Sequence, residues 1–269
     1  MRKVGWGARK AARVAEGREK GVRHGRRKSS VFFEIVGLAV WVFAVVVAVQ
    51  LVVGYAMLWI LGREGFTEPV AQFIYTALVY LLSLGLIIFV PSGLKKKWRT
   101  SREEVGLSGW PTWQDIFLSV VGFIVATLLG ALLVGIFNAA FPWFEAGEAQ
   151  NIGFNTYIFG VERVVAFLAL VVIAPIAEEI IFRGWLYGRL RQKLTGRVSE
   201  RAGMVISILV VSALFGLIHF QWNVAVNVFA LSVVLCGLRE VTGTIYAGIL
   251  THMIKNGVAF YLLYVLGIG

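Results

Sequence analysis

The chain has 269 residues, is 58% hydrophobic with a mean hydropathy of +0.79, and carries only 15% charged residues. Soluble domains are typically about 45–50% apolar and about 25% charged, so an ordinary soluble fold is excluded; a bilayer removes the need to bury the surplus. The net charge of +11 is no nucleic-acid signature either, because residues 1–30 hold 11 Lys/Arg against Glu16 and Glu19, and the rest of the chain is nearly balanced.

Residues 1–30 read as a basic cytoplasmic tail without fixed structure, suited to anionic lipid headgroups; no nucleic-acid partner is expected. The apolar run behind it is too long for the core of a cleaved signal peptide and should be retained as an anchor. Hydropathy predicts an all-α, polytopic transmembrane helical bundle of about seven spans, near 35–61, 69–91, 114–141, 158–188, 203–221, 224–239 and 243–266. We divide the chain into the tail, N-terminal transmembrane helices over 31–157, and C-terminal transmembrane helices over 158–269, which hold the candidate chemistry below.

Lys and Arg collect in the tail, in the segment holding Lys95, Lys96, Lys97, Arg99 and Arg102, and after span four at Arg189, Arg191, Lys193, Arg197 and Arg201. The loop over 141–156 has acids and no Lys or Arg. This alternation predicts a cytoplasmic N-terminus and an external C-terminus. Trp98, Trp110 and Trp113 alternate with basic residues over 92–113, an amphipathic surface piece or a loop with interfacial tryptophans. Arg239 to Gly243 should form a short polar turn between spans six and seven. The lone Cys236 allows no intrachain disulfide and receives no role. No internal repeat of a transporter type is present, and the first half of the chain carries no motif bearing on chemistry.

Span four carries Glu178, Glu179 and Arg183, although each intramembrane charge costs roughly 2.5–3.5 kcal/mol on insertion scales. Glu179 and Arg183 are four apart on one helix face and should pair. Glu178 is rotated about 100° away and lacks a local cation. It follows Pro175, which frees a backbone carbonyl. Of three histidines, His24 lies in the tail, while His219 and His252 lie in spans five and seven. Phe215 precedes His219 by one turn, and His252 precedes Asn256 by one turn.

These residues suggest peptide hydrolysis: Glu178 takes a proton from water that His219 holds, and His252 and Asn256 donate to the developing oxyanion. A zinc site of Glu178, His219 and His252 uses the same side chains, since two His and one carboxylate form a catalytic ligand set. No H-E-x-x-H or G-x-S-x-G is present. Lys255, beside Asn256, is open to snorkelling, an ion pair or an electrostatic effect on His252.

Glu178-Glu179-Ile180-Ile181-Phe182-Arg183, Phe215 to His219 and His252 to Asn256 resemble the E-E-x-x-x-R, F-x-x-x-H and H-x-x-x-N/D motifs of the CPBP family. This family comprises CAAX proteases and bacteriocin-processing enzymes and is also called Abi. The resemblance covers about 158–262. It implies a glutamate-dependent intramembrane endopeptidase acting on a membrane peptide or lipidated protein, with Glu178, His219, His252 and Asn256 catalytic and Glu179 and Arg183 supporting. A proton-coupled transporter, and a non-catalytic immunity or scaffold protein, are the competing expectations.

Overall fold

The computed structural model describes residues 31–94, 100–148 and 158–267. The basic tail, the run from Lys95 to Arg99 with Trp98, and the stretch 149–157 lie outside the described residues.

Seven helical rods make up the described chain, with no sheet among its residues. They are α1 (Val31–Thr67), α2 (Pro69–Leu94), α3 (Trp113–Ala140), a composite α4 (Val161–Leu194), α5 (Glu200–Leu217), α6 (Trp222–Thr242) and α7 (Tyr246–Phe260). The first six are long and apolar enough to cross a membrane. The seventh is shorter and is prolonged by a π-helical turn, Tyr261–Val265. Large apolar side chains such as Trp59, Phe89 and Leu128 face outward. An exposed apolar surface of this extent suits acyl chains and not water. The protein is an integral, multi-pass membrane protein.

On α1 the buried positions Leu38, Val42, Val45, Val46, Val49, Val53 and Met57 recur at helical spacing and pack on α2 and the second half of α4. Helix α1 outruns its expected end at 61, because Gly62 absorbs a kink at φ 70° and helical turns resume. Thr112 starts α3 through a capping box: its hydroxyl accepts from the Asp115 backbone N–H, and the Asp115 carboxylate accepts from the Thr112 N–H.

One expectation needs correction. Arg239 to Thr242 do not form a turn; α6 runs through them and stops at Gly243, whose φ of 71° is the left-handed cap. The charged residues stay helical because partners meet them at the helix end. Arg239 donates to the Gly243 and Glu104 carbonyls, and Glu240 accepts from the Tyr187 hydroxyl and Arg191 Nε, each at 2.6 Å. Of the two readings of 92–113, the described part fits the loop with interfacial tryptophans. Residues 100–112 form a turn-rich loop docked on the α6–α7 junction, with Val105 buried and Ile245 N–H bonded to the Gly106 carbonyl. Trp110 and Trp113 remain exposed, as interfacial tryptophans should.

Helices α5 and α6 form a hairpin closed by Ile218 to Gln221, with Phe220 at φ 53°. They approach so closely that a Cβ on Gly216 would stand 2.8 Å from the Ala225 carbonyl oxygen. Gly216→Ala is therefore expected to cost about 1–3 kcal/mol through overpacking. Thermal unfolding in detergent would show this as a lowered Tm, and an unchanged Tm would mean the hairpin is looser than described.

Candidate active site

The functional side chains hang on a helix whose hydrogen bonding changes register twice. Within α4, α-helical Val161–Phe167 passes into a π segment, Leu168–Ile173, then α-helical Ala174–Glu179, then a second π segment, Ile180–Leu186. Glu178 and Glu179 thus sit on a short α-helical piece between two wide turns, a type of irregularity frequent at functional sites. Pro175 lies at the junction and has no N–H to give. In the π register, where the Ala174 N–H reaches the carbonyl five residues back, the carbonyl left unserved by Pro175 is that of Leu170. Asn256 Nδ2 donates to this oxygen at 2.9 Å. The carbonyl freed by the proline is therefore satisfied from α7, and the bond pins Asn256 against α4.

Glu179 and Arg183 pair as their spacing predicts, Oε1 to Nη1 at 2.8 Å, and both side chains are wholly buried. The same Oε1 accepts from His252 Nδ1 at 3.1 Å. A carboxylate only accepts, so Nδ1 carries a proton and Nε2 turns toward Glu178, whose Oε2 is 3.6 Å away. Glu179 is thus more than half of a local pair, since it sets the orientation of the His252 ring. Helix α7 comes this near because Gly248 faces the carboxylate; a Cβ there would lie 3.1 Å from Glu179 Oε2.

Phe215 ties the third helix to the same group. Its buried ring lies 4.4 Å beneath the Arg183 guanidinium and meets the His219 and His252 rings edge-on at 5.1 and 6.0 Å. A cation over an aromatic face in a dry interior is favourable by about 2 kcal/mol. His219 Nδ1 donates to the Phe215 carbonyl at 2.7 Å, which leaves Nε2 as the free nitrogen.

The second oxygen of Glu178 has a partner the sequence did not announce. Tyr80, on α2, donates its hydroxyl to Glu178 Oε1. The only sequence signal was generic: a tyrosine in an apolar span needs somewhere to put its O–H. Glu178, His219, Lys255 and Asn256 retain partial accessibility, whereas Glu179, Arg183 and His252 are buried behind them. The Phe215 ring meets both imidazoles and His252 meets Glu178, so the half-buried Glu178 and His219 belong to one cluster, and its accessible side forms the recess. The structure thus brings His252 against Glu178, links His219 to them through the Phe215 ring, and holds Asn256 on the adjoining turn of α7.

Among the described residues no three His, Cys, Asp or Glu side chains stand together as a ligand set, and His252 already directs both nitrogens at carboxylates.

Residues 160–258 match the family model described as type II CAAX prenyl endopeptidase, Rce1-like. The matched stretch contains all three motifs, in keeping with the broader CPBP grouping. Tyr80 lies outside it. No curated protein and no solved structure matches the chain.

Glu178 and Glu179 should separate cleanly on mutation. Glu179→Gln strands a buried guanidinium and should cost about 3–5 kcal/mol, whereas Glu178→Gln, at the accessible recess, should leave Tm nearly unchanged. Thermal melts of both variants in the same detergent test the contrast; equal losses would mean that Glu178 is structural as well.

Proposed function

We propose that the protein is a membrane-embedded endopeptidase that hydrolyses a peptide bond in a membrane-associated or lipidated substrate, using water activated by Glu178. The observation that carries this reading is the oriented Glu178 carboxylate, with Tyr80 on one oxygen and His252 facing the other, and with His219 joined to the same cluster through the Phe215 ring. The family match over the same helices supports it.

In this mechanism water sits between Glu178 and the free Nε2 of His219. Glu178 takes one proton as the oxygen attacks the scissile carbonyl, and the carbonyl π electrons move onto its oxygen. His252 and Asn256 donate to that oxyanion. Asn256 has one amide hydrogen left beyond the Leu170 bond, and His252 has Nε2 left beyond the Nδ1 bond to Glu179. The tetrahedral species collapses, the C–N bond breaks, and Glu178 returns its proton to the leaving nitrogen. Water is thereby divided between the new carboxyl and amino ends.

Tyr80 is a positioning residue in this scheme. It fixes Oε1 so that Oε2 faces the recess. We also assign the basic tail to the cytoplasmic leaflet and the C-terminus to the opposite side, following the Lys/Arg distribution.

An internally quenched farnesylated peptide, presented to protein in nanodiscs, tests the assignment. Glu178→Ala should abolish cleavage while retaining the wild-type melting profile; a folded Glu178→Ala variant with full activity would overturn the mechanism. Tyr80→Phe should lower kcat about tenfold with little change in KM, and unchanged kcat would remove Tyr80 from the scheme. Activity is expected to survive zinc chelators. Loss on chelation with recovery by added zinc would replace this mechanism with one through Glu178, His219 and His252.

A further inference from the structure

Among the described residues Phe220 is the one non-glycine with a positive φ, 53°. Glycine and asparagine take this left-handed region readily, whereas an aromatic residue is strained there. Burial does not force the conformation, because the side chain is 68% exposed. Its ring contact among the described residues is Phe43 of α1, with centroids 6.2 Å apart. Backbone strain persists where the surrounding structure requires the shape, and the preceding residue is His219.

The requirement shows in the last four carbonyls of α5, which a helix end leaves without intrahelical donors. The Leu214 carbonyl accepts from the Ile218 N–H at 3.2 Å, that of Gly216 from the His219 N–H at 3.1 Å, and that of Leu217 from the Phe220 N–H at 3.2 Å. The backbone passes over the Phe215 carbonyl, and the His219 side chain takes it through Nδ1 at 2.7 Å. A carbonyl only accepts, so Nδ1 is the protonated nitrogen and Nε2 keeps its lone pair. With residue 220 right-handed, the helix would run on and the His219 N–H would return to the Phe215 carbonyl four residues back. Nδ1 would then lose its acceptor, and neither the tautomer nor the ring direction would be set. The hairpin has little slack to turn elsewhere, since a Cβ on Gly216 would already stand 2.8 Å from the Ala225 carbonyl oxygen.

We infer that Phe220 is a positioning residue of the proposed endopeptidase. Its left-handed backbone ends α5 so that the Phe215 carbonyl is kept for His219 Nδ1, and a bare Nε2 is presented to the reacting water. This deepens the hydrolytic reading and rests on it for the role of Nε2. The requirement falls on the backbone shape at 220; the ring, against Phe43, offsets part of the strain.

The test uses Phe220→Gly, Phe220→Ala and Phe220→Val, which all remove the ring. They differ in how readily they take the left-handed region, glycine most and valine least. Each is assayed in nanodiscs with the quenched farnesylated peptide. Each is also labelled with nitrogen-15 at histidine, because the chemical shift separates protonated from bare imidazole nitrogens; the His219 signals are those missing from His219→Gln. Phe220→Val should lower kcat about tenfold with KM within about twofold, and should show His219 as a mixture of tautomers. Phe220→Gly should recover most of kcat and the single Nδ1–H tautomer, with Phe220→Ala between them. If Phe220→Val does not fold, the alanine and glycine variants carry the comparison. Equal losses in those two would overturn the inference, because the ring and not the backbone would then matter. So would wild-type kcat with unchanged His219 shifts in the least tolerant variant that folds. Tautomers that follow the series in a protein that cleaves nothing would leave the hold on His219 standing and remove the hydrolytic reading.

Discussion

The structure depends on one buried carboxylate. Glu179 has no accessible surface, and a charge placed there is tolerable only if its partners are fixed in advance. Arg183 supplies one partner from the same helix and His252 the other from α7. Each consequence is geometric: α7 must carry a glycine where it passes the carboxylate, and α5 must offer an aromatic face to the guanidinium. The three motifs are then three views of one contact, because Glu179, Phe215 and His252 all touch within it or across a single ring.

A second constraint comes from Pro175. Inside a bilayer an unserved carbonyl has no water to turn to, so a proline in a span demands a replacement donor. Asn256 is that donor, at the oxygen which the π register selects. The asparagine is thereby held beside the recess by a backbone requirement, whatever else it does there. The π segments on either side of Glu178 and Glu179 shift the faces of α4, so that two adjacent acids reach different environments, one sealed and one open.

This explains what the sequence disclosed. The Glu179–Arg183 pair was legible because it is local, a fixed spacing on one helix. The grouping of Glu178 with both histidines was legible because charges and imidazoles are scarce in these spans, and scarcity makes them conspicuous. The all-α class and most span positions followed from hydropathy, as lipid-facing helices must be apolar along their length. Tyr80 was not legible, because it lies 98 residues from Glu178 in a helix with no other chemical signal. The end of α6 was misplaced for a related reason: Arg239 and Glu240 look like turn residues until the carbonyls of Gly243 and Glu104 and the side chains of Tyr187 and Arg191 are seen to receive them. The docking of 100–112 likewise depends on tertiary contacts that hydropathy does not encode.

The division between sealed and open polar groups also bears on how such a site evolves activity without losing its fold. Glu179, Arg183 and the Nδ1 side of His252 are bonded to one another before any substrate arrives, although Glu179 Oε2 and Arg183 Nε and Nη2 are buried without a hydrogen-bond partner among the described residues. Glu178 and His219 Nε2 lie on the accessible side of this set. Bonds among buried groups rigidify their surroundings, and rigidity behind the recess lets reactive groups in front remain incompletely paired. The buried set joins three helices through Glu179, Phe215 and His252, and Tyr80 holds Glu178 from a fourth. On this view the N-terminal helices belong to the site as well as to the anchor, since the oxygen of Glu178 that does not face the recess is held by α2.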